Sequence, residues 1–200
     1  MPRNRPLALL LLATVSVAPA AAQATEDFGI RVGGYGFRDS SPDGATVWTD
    51  SRMDGLGLFV SRSLGHHVFA EVGLDLYRAH GEIVALGDMD RVSTHLSAAV
   101  GLRMFPGSLL SPYVQAGLGG EVTHVRFGHG PLEMRLYPSG FLGVGGDLRL
   151  GDHLRVGANA RLHMMAHPTA LVTDRGGYVH APEFEPGAAG QAQLFARYEL

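Results

Sequence analysis

Apolar and polar residues alternate with a period of two over most of the chain after residue 24. The clearest stretch is 92–104, in which the even positions are mostly apolar and the odd positions are mostly polar or small. Successive side chains of a β-strand point to opposite faces, so this stretch predicts a strand with one apolar face. A Pro106-Gly107 turn leads to a second strand that runs to about residue 126. Each strand has about eleven residues, close to the ~9–11 that cross a bilayer at a tilt.

The same alternation recurs along the chain and predicts eight strands in all. They start near Phe28, Leu56, Val68, Val92, Pro112, Leu142, Leu154 and Ala192. Tight turns alternate with long polar connections, which are predicted at 38–54, 79–91, 127–135 and 167–187. This alternation is typical of outer-membrane barrels, which have short periplasmic turns and longer external loops. The predicted fold class is therefore all-β, an eight-stranded antiparallel up-and-down transmembrane β-barrel with both termini on the periplasmic side.

Charge is confined to one face of these predicted strands. In strands three to eight the even positions carry no charge, whereas the odd positions carry five acids and five arginines. A lipid-facing arginine at mid-depth costs ~2–4 kcal/mol, so we expect the even positions to face lipid and the odd positions to face the interior. With Arg31 of the first strand, the predicted interior charge network comprises Arg31, Glu71, Asp75, Arg103, Glu121, Asp147, Arg149, Arg155, Arg161, Arg197 and Glu199.

This network predicts a barrel that its own side chains fill. Eight strands enclose a space just wide enough for side chains, and acids and arginines in such a space are expected to pair. A narrow channel for small solutes is therefore a weaker alternative. A water-soluble sandwich or a lipocalin-like barrel is a second alternative, but it would place its apolar face inside and its charges outside.

The first 24 residues have the features of a cleaved secretory signal peptide. Arg3 and Arg5 precede an apolar run, and small residues stand at Ala22 and Ala24. Residues 25–200 are then the barrel domain. This domain has 14 basic and 19 acidic residues, a formal charge of −5 that argues against nucleic acid as a partner. The chain has no cysteine, which excludes disulfides and thiolate chemistry.

The segment PYVQAGLGG at 112–120, preceded by GLRMF, resembles small eight-stranded outer-membrane barrels of the OmpA and opacity-protein type. The C-terminal pattern Leu194-x-Ala196-x-Tyr198-x-Leu200 looks like the strand that barrel-assembly machinery recognises, with Leu200 where the family usually has Phe or Trp. The resemblance implies a location in the outer membrane of a Gram-negative cell. The expected partners are outer-membrane lipid, lipopolysaccharide, the assembly machinery and an unknown external ligand of the loops. We expect a monomer, because a closed barrel leaves no sheet edge to pair.

The pair His95-x-Ser97 resembles the His-x-Ser pair of outer-membrane lipid A deacylases, in which the histidine activates the serine as a nucleophile. The asparagine that follows in that family is replaced by Ala98, no carboxylate partner is evident in the sequence, and both residues fall on the predicted interior face. The favoured prediction is therefore a non-enzymatic protein with a structural or interaction role through its external loops. A lipid A deacylase-type hydrolase that uses His95 and Ser97 remains an alternative.

Other residues suggest no specific chemistry. The ten histidines lack regular ligand spacing, so we expect neither a metal site nor a cofactor. Trp48, Tyr137, Tyr178 and Phe184 lie near predicted outer strand ends or in predicted loops. They are expected to join the aromatic girdle at the membrane interface or to form contacts on the loops.

Overall fold

The computed structural model describes residues 25–38, 52–83, 87–127, 133–168 and 184–200. Eight antiparallel strands follow chain order and close into a barrel, with β1 paired to β8, which confirms the predicted fold class. The strands are β1 (Glu26–Arg38), β2 (Met53–Ser63), β3 (Val68–Ile83), β4 (Gly87–Arg103), β5 (Leu110–Phe127), β6 (Glu133–Arg149), β7 (Leu154–Pro168) and β8 (Phe184–Glu199).

No helix among these described residues is long and apolar enough to cross a membrane.

Several strands extend beyond their predicted ends, on the side of the barrel opposite the termini. β3 and β4 stay paired as far as Ile83 and Gly87, so the predicted loop at 79–91 is wrong over most of its length. β5 and β6 likewise pair as far as Val125 and Glu133, inside or beside the predicted loop at 127–135. The backbone hydrogen-bond ladder therefore continues beyond the stretches whose alternation predicted the strands.

Some predictions fall on residues outside the described ranges. They include the signal peptide at 1–24, most of the predicted loops at 38–54 and 167–187, and the side chains of Trp48 and Tyr178.

The closed sheet is staggered by ten residues. Following the paired register around the barrel from Arg78 leads through Asp54, Gly34, Ala192, Ala160, Val144, Val114 and Leu102 back to β3 at Val68. A stagger of this kind requires the strands to tilt by about 35–45° from the barrel axis. Residues that face one another in the interior therefore come from widely separated parts of the chain.

Even and odd positions lie on opposite faces of the barrel wall. On β4, the side chains of Leu96 and Val100 are 53% and 56% exposed on the outer surface, whereas His95 and Ser97 between them are 1% and 4% exposed in the interior. The other described strands repeat this alternation. The outer surface is apolar and the interior is polar, which is the reverse of a water-soluble barrel.

Interior glycines make room for large interior side chains. Six aromatic residues lie directly opposite a glycine of the neighbouring strand, in the pairs Phe59–Gly29, Tyr77–Gly55, Phe69–Gly101, Phe141–Gly117, Tyr113–Gly145 and Phe195–Gly157. At each of these glycines a Cβ atom would overlap the opposite ring. The rings therefore lie flat across the strands, and this arrangement fits bulky side chains into a narrow barrel.

A cysteine scan of residues 94–103 tests the face assignment, and the natural absence of cysteine makes the scan direct. We expect lipid-soluble maleimides to label even positions of the protein in vesicles and to miss odd positions, because side chains alternate between the two faces. The measurement is the labelled fraction at each position. Labelling with the opposite phase, or without a period of two, would contradict the assignment.

Candidate functional site in the barrel interior

The interior contains three polar clusters and two layers of apolar and aromatic side chains, of which the upper layer lies beside the upper cluster. We call them the lower, central and upper clusters, counted from the end that carries both termini. The lower aromatic layer consists of Phe59, Phe69, Tyr113 and Phe195. The upper apolar layer consists of Tyr35, Met53, Tyr77, Ala79, Tyr137, Met165 and Ala189. All of these side chains are buried.

The central cluster is built around Arg31 of β1, whose side chain is fully buried. Its Nε donates to Asp75 Oδ1 at 2.6 Å and its Nη2 donates to Asp75 Oδ2 at 2.9 Å, a two-pronged arrangement that matches the planar guanidinium. Its Nη1 donates to Glu71 Oε1 at 2.8 Å. Arg161 Nη2 donates to the same Glu71 oxygen at 2.5 Å. Two arginines and two carboxylates thus cancel in charge at the middle of the barrel.

Two further interior glycines, Gly57 and Gly73, lie against this cluster. A Cβ atom at Gly73 would overlap the Arg31 guanidinium, and one at Gly57 would overlap the Asp75 carboxylate. The strands beside the cluster therefore lack side chains where its charged groups lie against the wall. This allows the ion pairs to form without widening the barrel.

The lower cluster fills the end of the barrel near the termini. Asp147 accepts from Arg155 Nη1 at 3.0 Å and from Arg197 Nη2 at 2.5 Å. Arg197 Nη1 also lies 3.1 Å from Asp27 Oδ2. Arg103 lies 3.5 Å from the same Asp27 oxygen. Each buried arginine of this cluster therefore faces at least one carboxylate, as burial of charge requires.

The upper cluster is organised by Glu121 of β5. This carboxylate accepts from Tyr35 Oη at 2.9 Å, Arg91 Nη2 at 2.9 Å and Ser93 Oγ at 2.7 Å. Thr123 Oγ1 also donates to it. Four donors from three strands therefore satisfy the hydrogen-bonding capacity of this buried carboxylate in the barrel interior.

Most of the predicted network residues lie in these clusters. Arg149 is different, because it lies half-buried at the rim, where Nε donates to Gly151 O at 2.9 Å and Nη2 lies 3.8 Å from Asp152. Glu199 also lies near the rim, 3.5 Å from Arg155 Nε.

The sequence pattern missed two charged members of the interior. Arg91 was obscured because it falls in the predicted loop at 79–91, and Asp27 because it precedes the predicted start of the first strand. Their odd-numbered positions are the signal that could have identified both.

Tyr137, expected at the membrane interface or in a loop, instead belongs to the upper apolar layer. Its odd position on β6 turns it inward, so parity decides its place rather than its distance from the loop.

The structure brings His95 close to a carboxylate that the sequence did not reveal. His95 Nδ1 lies 3.7 Å from Asp75 Oδ2, and the two residues are direct cross-strand partners. This distance is beyond a hydrogen bond, and neither ring nitrogen of His95 has a hydrogen-bond partner among the described residues. No hydrogen bond therefore joins His95 to Ser97. Asp75 is already held by Arg31, so the arrangement lacks the linked acid, base and nucleophile of a hydrolase.

The surroundings of His95 are aromatic. Its ring centroid lies 4.9 Å from that of His163 in an edge-on contact and 6.2 Å from that of Tyr35 in a stacked one. The ring centroid of Phe141 lies 5.0 Å from that of His163. Ring packing accounts for the position of both histidines. In the described part of the chain, no group of three or more metal-ligating side chains is placed to hold a metal ion.

The family profile described as outer membrane protein beta-barrel domain matches residues 7–179. The chain belongs to the outer membrane protein beta-barrel domain family. This membership confirms the resemblance inferred from the sequence and the location in the outer membrane. No curated protein matches the chain.

Two solved structures of outer-membrane barrels are similar to this chain. Neisserial surface protein A shares 13% identity with a TM-score of 0.57, and the match covers 86% of this chain and 97% of that one. Ail, the attachment invasion locus protein of Yersinia pestis, shares 16% identity with a TM-score of 0.52, with coverage of 88% and 97%. At these identities the likeness concerns the fold alone. A closed eight-stranded wall is thus the common feature.

Proposed function

We propose that this outer-membrane barrel has no catalytic activity, conducts no solute and acts through its external connections. The observation that carries the proposal is the filled interior. The Arg31–Asp75–Glu71 group occupies the central lumen, and buried apolar layers lie on both sides of it. A filled lumen leaves the connections between strands as the parts that can meet a partner.

The hydrolase alternative has little support from the geometry. His95 and Ser97 point into the filled interior, whereas the acyl chains of lipid A lie outside the wall. A lipid substrate would have to cross the sheet to reach Ser97. The site also lacks a hydrogen bond between base and nucleophile.

The external connections are acidic, which favours a cationic partner. Residues 39–51, 84–86, 128–132 and 169–183 contain Asp39, Asp43, Asp50, Asp174 and Glu183 but only one basic residue, Arg175. Ail has been crystallised with the heparin analogue sucrose octasulfate, a polyanion. The charge of the present connections opposes such a ligand. The partner of this barrel therefore differs in charge from that ligand of Ail.

Planar-bilayer recording of the purified protein tests the closed lumen. We expect no reproducible conductance steps, because the ion pairs and apolar layers fill the pore. Conductance steps that disappear when an interior residue is enlarged, as in Gly119→Trp, would establish a channel instead.

Mass spectrometry of lipid A from cells that express the wild type or Ser97→Ala tests the hydrolase alternative. We expect identical lipid A in both strains, and a deacylated species lost on Ser97→Ala would establish a hydrolase.

A further inference from the structure

The lipid-facing surface of the barrel differs in height from one wall to another. On β2 the outward positions Asp54 and Arg62 are charged, with side chains 76% and 52% exposed. Only three outward residues, all apolar, lie between them: Leu56, Leu58 and Val60. The uncharged outer surface of β2 therefore spans a short part of the strand.

The neighbouring strands carry outward charges near the same two levels. Arg78 of β3 is the register partner of Asp54, and Glu26 of β1 is the register partner of Arg62. Each is exposed, and Glu26 Oε1 lies 3.7 Å from Arg62 Nη1. The two boundaries of the short surface are thus each formed by a pair of adjacent strands.

The opposite wall has a much taller uncharged surface. On β5 no outward residue from Leu110 to His124 is an aspartate, glutamate, lysine or arginine, and Arg126 is the first of these types. On β6 all outward residues from Met134 to Leu148 are uncharged. The turn between β4 and β5, residues 104–109, contains no charged residue either. The uncharged surface of this wall therefore continues to the end of the barrel that carries the termini.

These spans convert into different heights. Asp54 and Arg62 are separated by about 27 Å along the strand at ~3.4 Å per residue, which is about 20 Å along the barrel axis at the usual tilt. Leu110 and Arg126 are separated by about 54 Å along β5, or about 40 Å along the axis. The apolar band of such barrels is about 25 Å tall. The uncharged surface of β2 is therefore shorter than this band, and the uncharged surface of β5 is taller.

Tilting of the whole barrel cannot fit both uncharged surfaces to a bilayer of one thickness. A tilt raises the surface on one side and lowers it on the other, but it leaves the length of each surface unchanged. The bilayer itself must differ in thickness around the barrel, or charged groups of β2 must enter the hydrocarbon.

We propose that the wall centred on β2 thins the adjoining bilayer, whereas the β5–β6 wall borders bilayer of ordinary thickness. The partner of the β2 surface is thus a locally thinned patch of membrane. Thinning keeps Asp54 and Arg62 in the interfacial regions with their partners Arg52 and Glu26, each 3.7 Å away. The proposal is independent of the ligand of the external connections.

The double variant Asp54→Leu/Arg62→Leu tests the proposal by lengthening the apolar surface of β2 from three to five outward positions. We measure the folded fraction in dicapryl-, dilauroyl- and dimyristoyl-phosphatidylcholine vesicles. Wild-type protein should fold best in the thinner vesicles, and the variant should fold about twofold or more better than wild type in the dimyristoyl vesicles. Equal dependence on chain length for both proteins would overturn the proposal.

The matched control is Arg126→Leu, which removes an outward charge from a wall that is already tall. It should leave the dependence on chain length unchanged, and a shift equal to that of the double variant would overturn the proposal. A second measurement uses single cysteines at positions 54 and 62 that carry a depth-sensitive fluorophore. Both probes should report the interface, and two probes in the hydrocarbon of an undistorted bilayer would equally overturn the inference.

Discussion

Arg31→Met is expected to lower the free energy of unfolding by about 3–5 kcal/mol, the typical cost of removing one partner from a buried ion pair. Methionine keeps much of the volume of the side chain but leaves Asp75 without its two strongest donors. Gln193 Nε2, which lies 3.2 Å from Asp75 Oδ1, remains as a neutral donor to this carboxylate. Glu71 keeps its bond to Arg161. The destabilisation should therefore come mainly from Asp75. The change in the free energy of unfolding is measured by urea titration of the protein in vesicles, with the heat-dependent shift in gel mobility as the readout of the folded fraction.

Two further variants separate the loss of charge pairing from a general effect of removing arginine. Arg149→Met at the exposed rim should cost less than about 1 kcal/mol, because surface ion pairs contribute little. Arg31→Met/Asp75→Asn should be more stable than Arg31→Met alone, because it removes the uncompensated charge. If Arg149→Met and Arg31→Met destabilise equally, the central cluster has no special role.

The period-two pattern was sufficient to predict strand number, strand faces and the polar interior. Its physical basis is local, since alternation follows from backbone geometry and the exclusion of charge from lipid follows from the cost of burying it. Val100 and Ala99 could thus be assigned to opposite faces from parity alone. The same reasoning placed most members of the central and lower charge clusters inside the barrel.

Specific partners could not be predicted because they depend on the stagger of the closed sheet. Arg31 meets Asp75 across a sequence separation of 44 residues, and Arg161 meets Glu71 across 90. A shift of two residues in register would preserve every face and change every pair. The even or odd position of a residue does not reveal such a shift. The three clusters are therefore a property of register, which the sequence pattern does not encode locally.

Resemblance at the level of a short motif was a weaker guide than parity. The His95-x-Ser97 spacing fits a catalytic pair, and the structure even adds Asp75 as a neighbour. Yet the faces predicted by alternation already turned both residues inward. What the sequence could not reveal was the ring packing against His163 and Tyr35 that explains the histidine without catalysis.

Gly117→Ala and Gly120→Ala are expected to have opposite consequences, although they lie three residues apart on β5. A Cβ atom at Gly117 would overlap the carbonyl oxygen of Ala98 and lie 2.5 Å from Phe141 Cζ. At Gly120, which faces outward, it would meet nothing within 4 Å. Overlap with backbone cannot be relieved by a rotamer change, so Gly117→Ala should destabilise the barrel by about 3 kcal/mol. Gly120→Ala should be neutral or slightly stabilising.

Urea titration in vesicles, as for Arg31, compares the two alanine variants directly. A third comparison introduces Gly117→Ala into Phe141→Leu, where the ring is absent but the overlap with Ala98 remains, so Gly117→Ala should cost less there than in the wild type but more than zero. No cost in the Phe141→Leu background would show that the ring alone excludes a side chain at position 117. Wild-type stability of Gly117→Ala would show that β4, β5 and β6 do not approach one another as closely as the interior packing requires.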